Sequence, residues 1–106
     1  MTDADATPQP LAHIDRLIYE PARLLIVGYL YVVESAGFLF LMRQTGLTFG
    51  DLSSHLGKLE EAGYVEVEKS FKGKKPHTML KLTDACRSAF DDYRRSMRQV
   101  LDGLPG

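Results

Sequence analysis

Small and polar side chains with hydrogen-bonding capacity lie together in the segment 48–61. Leu52, Leu56 and Leu59 recur at helical spacing, so this segment is predicted to pack on a core through one apolar stripe. The remaining faces carry the candidate contact residues Thr48, Phe49, Gly50, Ser53, Ser54, His55 and Lys58. Serine and histidine can hydrogen-bond to base edges, and lysine reaches phosphate or bases. We expect this helix to contact double-stranded DNA, with a helix-packing role for His55 equally open.

A second group of charged residues follows this segment. The net charge is −1, from 13 Lys+Arg and 14 Asp+Glu, whereas nucleic-acid-binding proteins are more often basic. The charge is segregated, since residues 1–20 carry four acidic residues and residues 69–77 carry four lysines and no acid. Lysines at a hairpin tip often only face solvent. Beside a polar helix face, we expect Lys72, Lys74 and Lys75 to contact phosphate or the minor groove.

Neither a catalytic site nor a metal site is expected from the residue spacing. The candidate ligands fall in four predicted elements without ligand spacing, and they are His13, His55, His77 and Cys86. The adjacent acidic pairs 60–61 and 91–92 point to different sides of a helix. No glycine-rich phosphate loop and no Ser/His/Asp set is present. The sequence predicts a protein that is not an enzyme and has no cofactor.

Length and composition predict one ordinary globular domain. The chain has 106 residues, of which 44% are hydrophobic and 25% charged. The longest apolar run, 24–33, is far shorter than the roughly 20 residues of a membrane helix, so no membrane contact is expected. With one cysteine, Cys86, and no apolar leader, we expect the reducing cytoplasm. Cys86 lies on an apolar stripe, which favours a buried core residue over a redox sensor.

The first third of the chain predicts a tail and three helices. Residues 1–10 are expected to form a disordered tail before a single domain, 11–106. A short amphipathic helix is expected at 11–19, on the apolar residues Leu11, Ile14, Leu17 and Ile18. Pro21 begins a second helix that runs to about Val33 and is apolar nearly all round. A third helix follows, with the inward residues Phe38, Leu39, Leu41 and Met42.

The middle of the chain predicts a helix-turn-helix over 37–63. Gly46 suits the left-handed end of the third helix. Thr48 and Asp51 have the spacing of a capping box at the start of the fourth helix, and Leu47 and Leu52 have that of a hydrophobic staple. The second helix of such a pair enters the major groove.

A hairpin and a long helix complete the predicted fold. Over 64–82, two alternating strands flank a turn at 71–76. Thr83 is a good N-cap for a last helix, 83–101, with the coiled-coil-like stripe Cys86, Phe90, Tyr93, Met97 and Val100. The spacing of this stripe continues to Leu104, which is expected to lie beyond the helix. The fold class is mainly α with a small β-hairpin (α+β), a winged helix-turn-helix with 64–82 as the wing.

The stretch 47–83 resembles the small winged-helix transcriptional regulators related to the ArsR and MarR families. The resemblance extends over about 11–101 and is carried by Leu52, Ser53, His55, Leu56, Leu59, Glu60, Ala62, Gly63, Val65, Lys75, Pro76, Leu82 and Thr83. It implies a homodimeric DNA-binding regulator whose first and last helices form the dimer. Unlike many relatives, this chain has Phe49 and Asp51 near the start of the recognition helix, and it lacks the Cys-x-Cys pair of metal sensors.

These observations predict a sequence-specific regulator of transcription that binds double-stranded DNA as a homodimer. The expected dimer interface consists of Leu11, Ile14, Ile18, Phe90, Tyr93, Met97 and Val100. An alternative is a winged helix that binds another protein instead of a specific DNA site. A small-molecule effector pocket is a further alternative, formed by aromatic residues that are more often core: Tyr29, Tyr31, Phe38 and Phe40.

Overall fold

A computed structural model describes residues 16–104 as four helices and one small sheet. The elements are α1 (Pro21–Val33), β1 (Ser35–Gly37), α2 (Phe38–Thr45), α3 (Phe49–Glu61), β2 (Val65–Lys72), β3 (Lys75–Leu82) and α4 (Asp84–Asp102). The strands are antiparallel in the order β1-β3-β2. A helix-turn-helix followed by a hairpin and a closing helix is the winged-helix arrangement that the sequence predicts.

One apolar core joins every element. Within residues 16–104, no polar or charged side chain is buried. The core consists of Ile18, Ile26, Val27, Leu30, Ala36, Leu41, Leu52, Leu56, Leu59, Val65, Leu80, Leu82 and Cys86. The predicted stripe of α3 is therefore confirmed as the side that seats this helix on the core.

Helix α1 begins where the sequence predicts. Glu20 has extended backbone angles, φ −89° and ψ 137°, and Pro21 occupies the first turn. The Glu20 carboxylate accepts a hydrogen bond from the backbone N–H of Arg23 at 3.1 Å. This bond lowers the pKa of Glu20 and so favours the charged capping group.

The segment before α1 differs from the prediction. Residues 16–20 form a turn instead of the end of a helix, with the N–H of Tyr19 donating to the carbonyl of Arg16 at 3.2 Å. Ile18 is fully buried in the core of its own protomer, so its predicted place in a dimer interface is wrong. The predicted tail, Leu11, His13 and Ile14 lie outside the described residues.

A short strand that the sequence did not predict follows α1. Glu34 turns the chain with a positive φ of 69°, and its N–H donates to the carbonyl of Leu30. Ser35–Gly37 then pairs with residues 79–81 of β3. In α2, Leu41 is buried, but Leu39 is 59% exposed and does not point inward as predicted. Leu39 precedes Leu41 by two residues, or about 200° around a helix.

The wing lies within the predicted bounds 64–82, but its strands are longer than predicted. The expected turn at 71–76 is reduced to Gly73 and Lys74, because β2 continues to Lys72 and β3 starts at Lys75. Gly73 has a φ of 68°, as the first central residue of a type II′ hairpin turn requires. Pro76 is accommodated beyond the end of β1, where one side of β3 is an open edge.

Helix α4 begins at the predicted cap and extends past the core. The hydroxyl of Thr83 accepts from the N–H of Cys86 at 3.2 Å and donates to the carbonyl of Gly63 at 2.8 Å. Cys86 is fully buried, and burial raises its pKa to about 11, which confirms it as a core residue. Farther along, Val100 and Leu101 are exposed. No helix within residues 16–104 has the length and apolarity to span a bilayer.

Candidate nucleic-acid interface

The turn that leads into α3 is fixed by one threonine and one glycine. Gly46 ends α2 in the left-handed conformation, with a φ of 73°. The Thr45 hydroxyl donates to the carbonyl of Leu41 at 2.8 Å and accepts from the N–H of Leu47 at 3.3 Å. The two helices of the helix-turn-helix are therefore joined by a defined turn.

The start of α3 follows the predicted cap in part. The hydroxyl of Thr48 accepts from the backbone N–H of Asp51 at 3.1 Å, so Thr48 is the N-cap. The return bond of a full capping box, from the N–H of Thr48 to the Asp51 carboxylate, is not among the hydrogen bonds of residues 16–104. Leu47 is half-buried on the core and Leu52 is fully buried, which fits the predicted staple.

The predicted contact residues lie on three sides of α3. Gly50, Ser54 and Lys58 are exposed on the side opposite the core. Phe49 and Ser53 line a groove toward the wing. His55 faces α1 and is half-buried. The structure therefore does not place all the predicted residues on one surface, because the helix turns by about 100° per residue.

Two glycines leave the outer surface of α3 without side chains at their positions. A Cβ at Gly50 or Gly57 would meet no neighbouring atom within 4 Å. Packing among the described residues therefore does not require glycine at either position. Glycine in a helix interior is about 1 kcal/mol less favourable than alanine. These glycines give another molecule close access to the helix backbone.

His55 forms a link between α3 and α1. Its Nδ1 lies 3.0 Å from a guanidinium nitrogen of Arg23. A guanidinium only donates hydrogen bonds, so Nδ1 is the acceptor in this contact. Arg23 also donates through Nε to the carbonyl of Leu17. The helix-packing alternative for His55 is thus supported, while its Nε2 has no hydrogen-bond partner among residues 16–104.

The tip of the wing brings positive charges together. Lys72 and Lys75 are directly opposed across the hairpin, and Lys74 lies in the turn between them. All three are exposed. Like charges opposed on neighbouring strands are destabilising. No ion pair within residues 16–104 neutralises these lysines, so an anion at this tip would relieve their repulsion.

A groove of about 800 Å³ separates the helix-turn-helix from the wing. Its helical side includes Phe38 and Arg43 of α2 and the α3 residues named above, while its wing side includes Val67, Lys69 and Pro76. The ring of Phe49 is 65% exposed and lies 5.0 Å from the ring of Phe38. Sequence reasoning missed Arg43 and Lys69 as lining residues, although Lys69 belongs to the basic run already noted.

The four aromatic residues of the predicted effector pocket do not share a cavity. Phe38 and Phe40 line the groove beside the wing. Tyr29 lies on the open side of α1 and donates to the carbonyl of Gln44 at 3.3 Å. Tyr31 contacts α4, where its hydroxyl donates to Asp91 at 2.7 Å. The pocket as predicted is therefore wrong, because these side chains point to different sides of the protomer.

Within residues 16–104, no cluster of three His, Cys, Asp or Glu side chains could hold a metal ion.

Residues 22–101 match the family of winged helix DNA-binding domains. The chain belongs to this family. It is a DNA-binding domain of the kind found in transcriptional regulators, as the resemblance implied. An uncharacterised protein of Methanocaldococcus jannaschii, MJ0432, is 41% identical over 82 residues, which cover 77% of this chain and 89% of that protein.

Solved structures of regulators share the fold. A transcriptional regulator homologue from Pyrococcus horikoshii superposes with a TM-score of 0.77 at 29% identity, covering 88% of this chain and 92% of that one. A MarR-family regulator from Porphyromonas gingivalis has a TM-score of 0.68 at 15% identity and covers 98% of each chain. At that identity the second likeness concerns the fold alone.

Proposed function

We propose that this protein regulates transcription by binding double-stranded DNA as a homodimer, with sequence specificity. Helix α3 lies in the major groove, and the basic wing contacts the backbone or the minor groove beside it. The observation that carries the proposal is the outer face of α3, which has no side chains at the positions of its two glycines. Gly50 and Gly57 have no packing role within residues 16–104, and Ser54 and Lys58 are exposed on the same side. A helix with such a face can enter the major groove and approach the base edges closely.

The wing supports this proposal through its position and its charge. The groove of about 800 Å³ has α3 on one side and the wing on the other, so both belong to one surface. The opposed Lys72 and Lys75 concentrate positive charge at the tip. Binding to phosphate would offset their repulsion and release counterions from DNA.

Two apolar surfaces support a homodimer. One is the open side of α1, a hollow of about 530 Å³ lined by Pro21, Leu24, Leu25, Gly28, Tyr29 and Val32. A Cβ at Gly28 would meet nothing within 4 Å, so this glycine leaves room for a second helix to approach. The other is on α4, where the half-buried Phe90, Tyr93 and Met97 and the exposed Leu101 lie beside a second hollow. Partly exposed apolar surfaces of this kind mark interfaces.

A protein-binding winged helix remains the second candidate. Leu39 and Phe49 are 59% and 65% exposed near the groove, which would suit an apolar partner. The proposed DNA binding predicts steep salt dependence, because each phosphate contacted contributes a log–log slope of about −0.9. A protein-binding module would show little affinity for duplex DNA at any salt concentration.

We also propose that the protein acts in the reducing cytoplasm.

Selection of binding sites from a random duplex pool tests the proposal. We expect a two-fold symmetric site to be enriched, since a symmetric dimer reads two half-sites. Ser54→Ala should then weaken binding to the selected site by about 1 to 3 kcal/mol if its hydroxyl hydrogen-bonds to a base. Its binding to random duplex should stay the same, because phosphate contacts dominate that affinity. Failure to enrich any sequence would contradict the proposal.

A further inference from the structure

One large apolar side chain stands exposed near the tip of the wing. Phe71 is 73% exposed and lies outside the apolar core. Its ring contacts no other aromatic ring of residues 16–104. The sheet register places Pro76 directly opposite it, one pair before the turn. Packing within the described part of the chain therefore does not explain a phenylalanine at this position.

The direction of Phe71 follows from the alternation of β2. Val65 and Val67 face the core, and Lys69 lines the groove beside α3. Phe71 continues this row by two residues, so it is on the side of the wing that faces the recognition helix. The proposed DNA surface thus ends, at its outer edge, in an apolar ring backed by a proline.

The charges around this ring favour one class of partner. Lys72, Lys74 and Lys75 lie within four residues of Phe71, and Lys69 precedes it by two. An apolar side chain set among cations suits a polyanion that also offers an apolar interior. Duplex DNA has this combination, since its stacked bases lie between two phosphate backbones. Proteins that bind the minor groove insert phenylalanine or proline between base pairs in this way.

We propose that Phe71, with Pro76 behind it, is a wedge that enters the minor groove, separates one base step and bends the DNA. This inference rests on the proposed DNA binding and adds a conformational change in the DNA. The lysines neutralise phosphates on both sides of the step, and the two-residue turn keeps the tip narrow. Wedges of this type bend duplexes by about 20 to 90°. Pyrimidine–purine steps unstack most easily, so the wing reads sequence through deformability.

DNA bending in solution tests the wedge. Duplexes carrying the selected site are labelled at both ends, and energy transfer reports the end-to-end distance with and without saturating protein. We expect the wild-type protein and Phe71→Leu to shorten this distance, because both keep an apolar side chain. Phe71→Ala should leave the DNA straight. Lys75→Ala should keep the bend at saturation and weaken binding to every duplex.

A duplex with one mismatched pair at the wing-contacted step gives an independent measurement. Part of the unstacking cost is already met in such DNA, so the wild-type protein should bind it about tenfold more tightly than the matched duplex. Phe71→Ala should show no such gain, and its melting temperature should equal that of the wild type because the ring is exposed. These ratios are measurable even if Phe71→Ala lowers overall affinity.

The results separate the wedge from the proposed function. Salt-dependent binding without bending, or a bend that Phe71→Ala retains, overturns the wedge and leaves the DNA-binding regulator intact. This is also the result expected if Phe71 instead docks on a protein. Absence of duplex binding by the wild-type protein overturns both proposals.

Discussion

The guanidinium of Arg23 in α1 donates a hydrogen bond to Nδ1 of His55 in α3, across 3.0 Å. The same side chain donates to the carbonyl of Leu17. One arginine thus fixes three segments of the chain: the turn before α1, α1 itself and the recognition helix. This contact holds α3 in place from the side opposite the wing.

Replacing Arg23 by alanine should therefore destabilise the fold. The variant loses two side-chain hydrogen bonds, and we expect the free energy of unfolding to fall by about 1 to 2 kcal/mol. Urea denaturation measures this change. In a double-mutant cycle with His55→Ala, the two residues should show a coupling energy of about 1 kcal/mol. Strictly additive effects would mean that the contact does not contribute to stability.

The N-cap of α3 predicts different effects for two neighbouring substitutions. Thr48→Ala removes the hydroxyl that accepts from the N–H of Asp51 and should cost about 1 kcal/mol of stability. Thr48→Ser keeps a hydroxyl and is the matched control. Asp51→Ala retains the backbone N–H and loses only the attraction of its charge to the helix dipole, about 0.5 kcal/mol. Equal losses for Thr48→Ala and Asp51→Ala would contradict this cap assignment.

The wing lysines should contribute affinity that does not depend on sequence. Changing Lys74 and Lys75 together to alanine should weaken binding to all duplexes by a similar factor. In each subunit, the slope of affinity against salt should fall by about one unit for every phosphate that the wing no longer neutralises. Lys81→Ala is the control, because Lys81 lies 3.8 Å from Glu66 at the base of the wing. An unchanged slope in the double variant would place the tip away from DNA.

Substitutions on two surfaces should reduce dimerisation. Gly28→Leu closes the space on the open side of α1, and Leu101→Asp adds a charge to the exposed stripe of α4. We expect light scattering to give twice the chain mass for the wild type and a lower mass for each variant. Gln99→Glu, an exposed change beside the stripe, should remain a dimer. A wild-type protein that stays monomeric at micromolar concentration would contradict the proposed assembly.

The stability of the fold should depend on pH through Asp91 and its hydrogen bond from Tyr31. The Tyr31 hydroxyl and then Arg94 donate hydrogen bonds that lower the pKa of Asp91 in the folded protein. A lowered folded-state pKa adds stability above the ordinary aspartate value of about 3.9, and this stability is lost as the pH falls through the folded value. Tyr31→Phe should raise the pKa of Asp91, as measured by NMR titration of its carboxyl carbon. Tyr93→Phe should leave it unchanged.

Sequence patterns predicted the elements that have strong local signals. The leucine stripe of α3 and the caps at Thr48 and Thr83 are each defined within a few residues. β1 was missed because three residues show no period, and this strand exists only through pairing with the distant β3. The burial of Ile18 also depends on distant contacts. The extension of the two wing strands into the predicted turn was missed, because Gly73 and Pro76 obscured the alternation there.

The candidate site was less predictable than the fold. Helical spacing indicated which residues of α3 avoid the core, but the neighbours of the other faces come from tertiary packing. His55 faces Arg23, which lies 32 residues earlier in the chain. Phe49 faces the groove beside the wing. Neither relationship has a local signal in the sequence.

Thr83 joins the end of α3 to the start of the long helix α4. Its hydroxyl donates to the carbonyl of Gly63, the second residue after α3, and accepts from the N–H of Cys86 in the first turn of α4. This hydroxyl therefore joins the end of α3 directly to the start of α4. A tilt of about 4° at Thr83 moves the far end of a helix of about 28 Å by about 2 Å. In a dimer joined through the far ends of its two α4 helices, a small change in their crossing angle would change the distance between the two α3 helices. The spacing of the two bound DNA half-sites would then depend on this crossing angle.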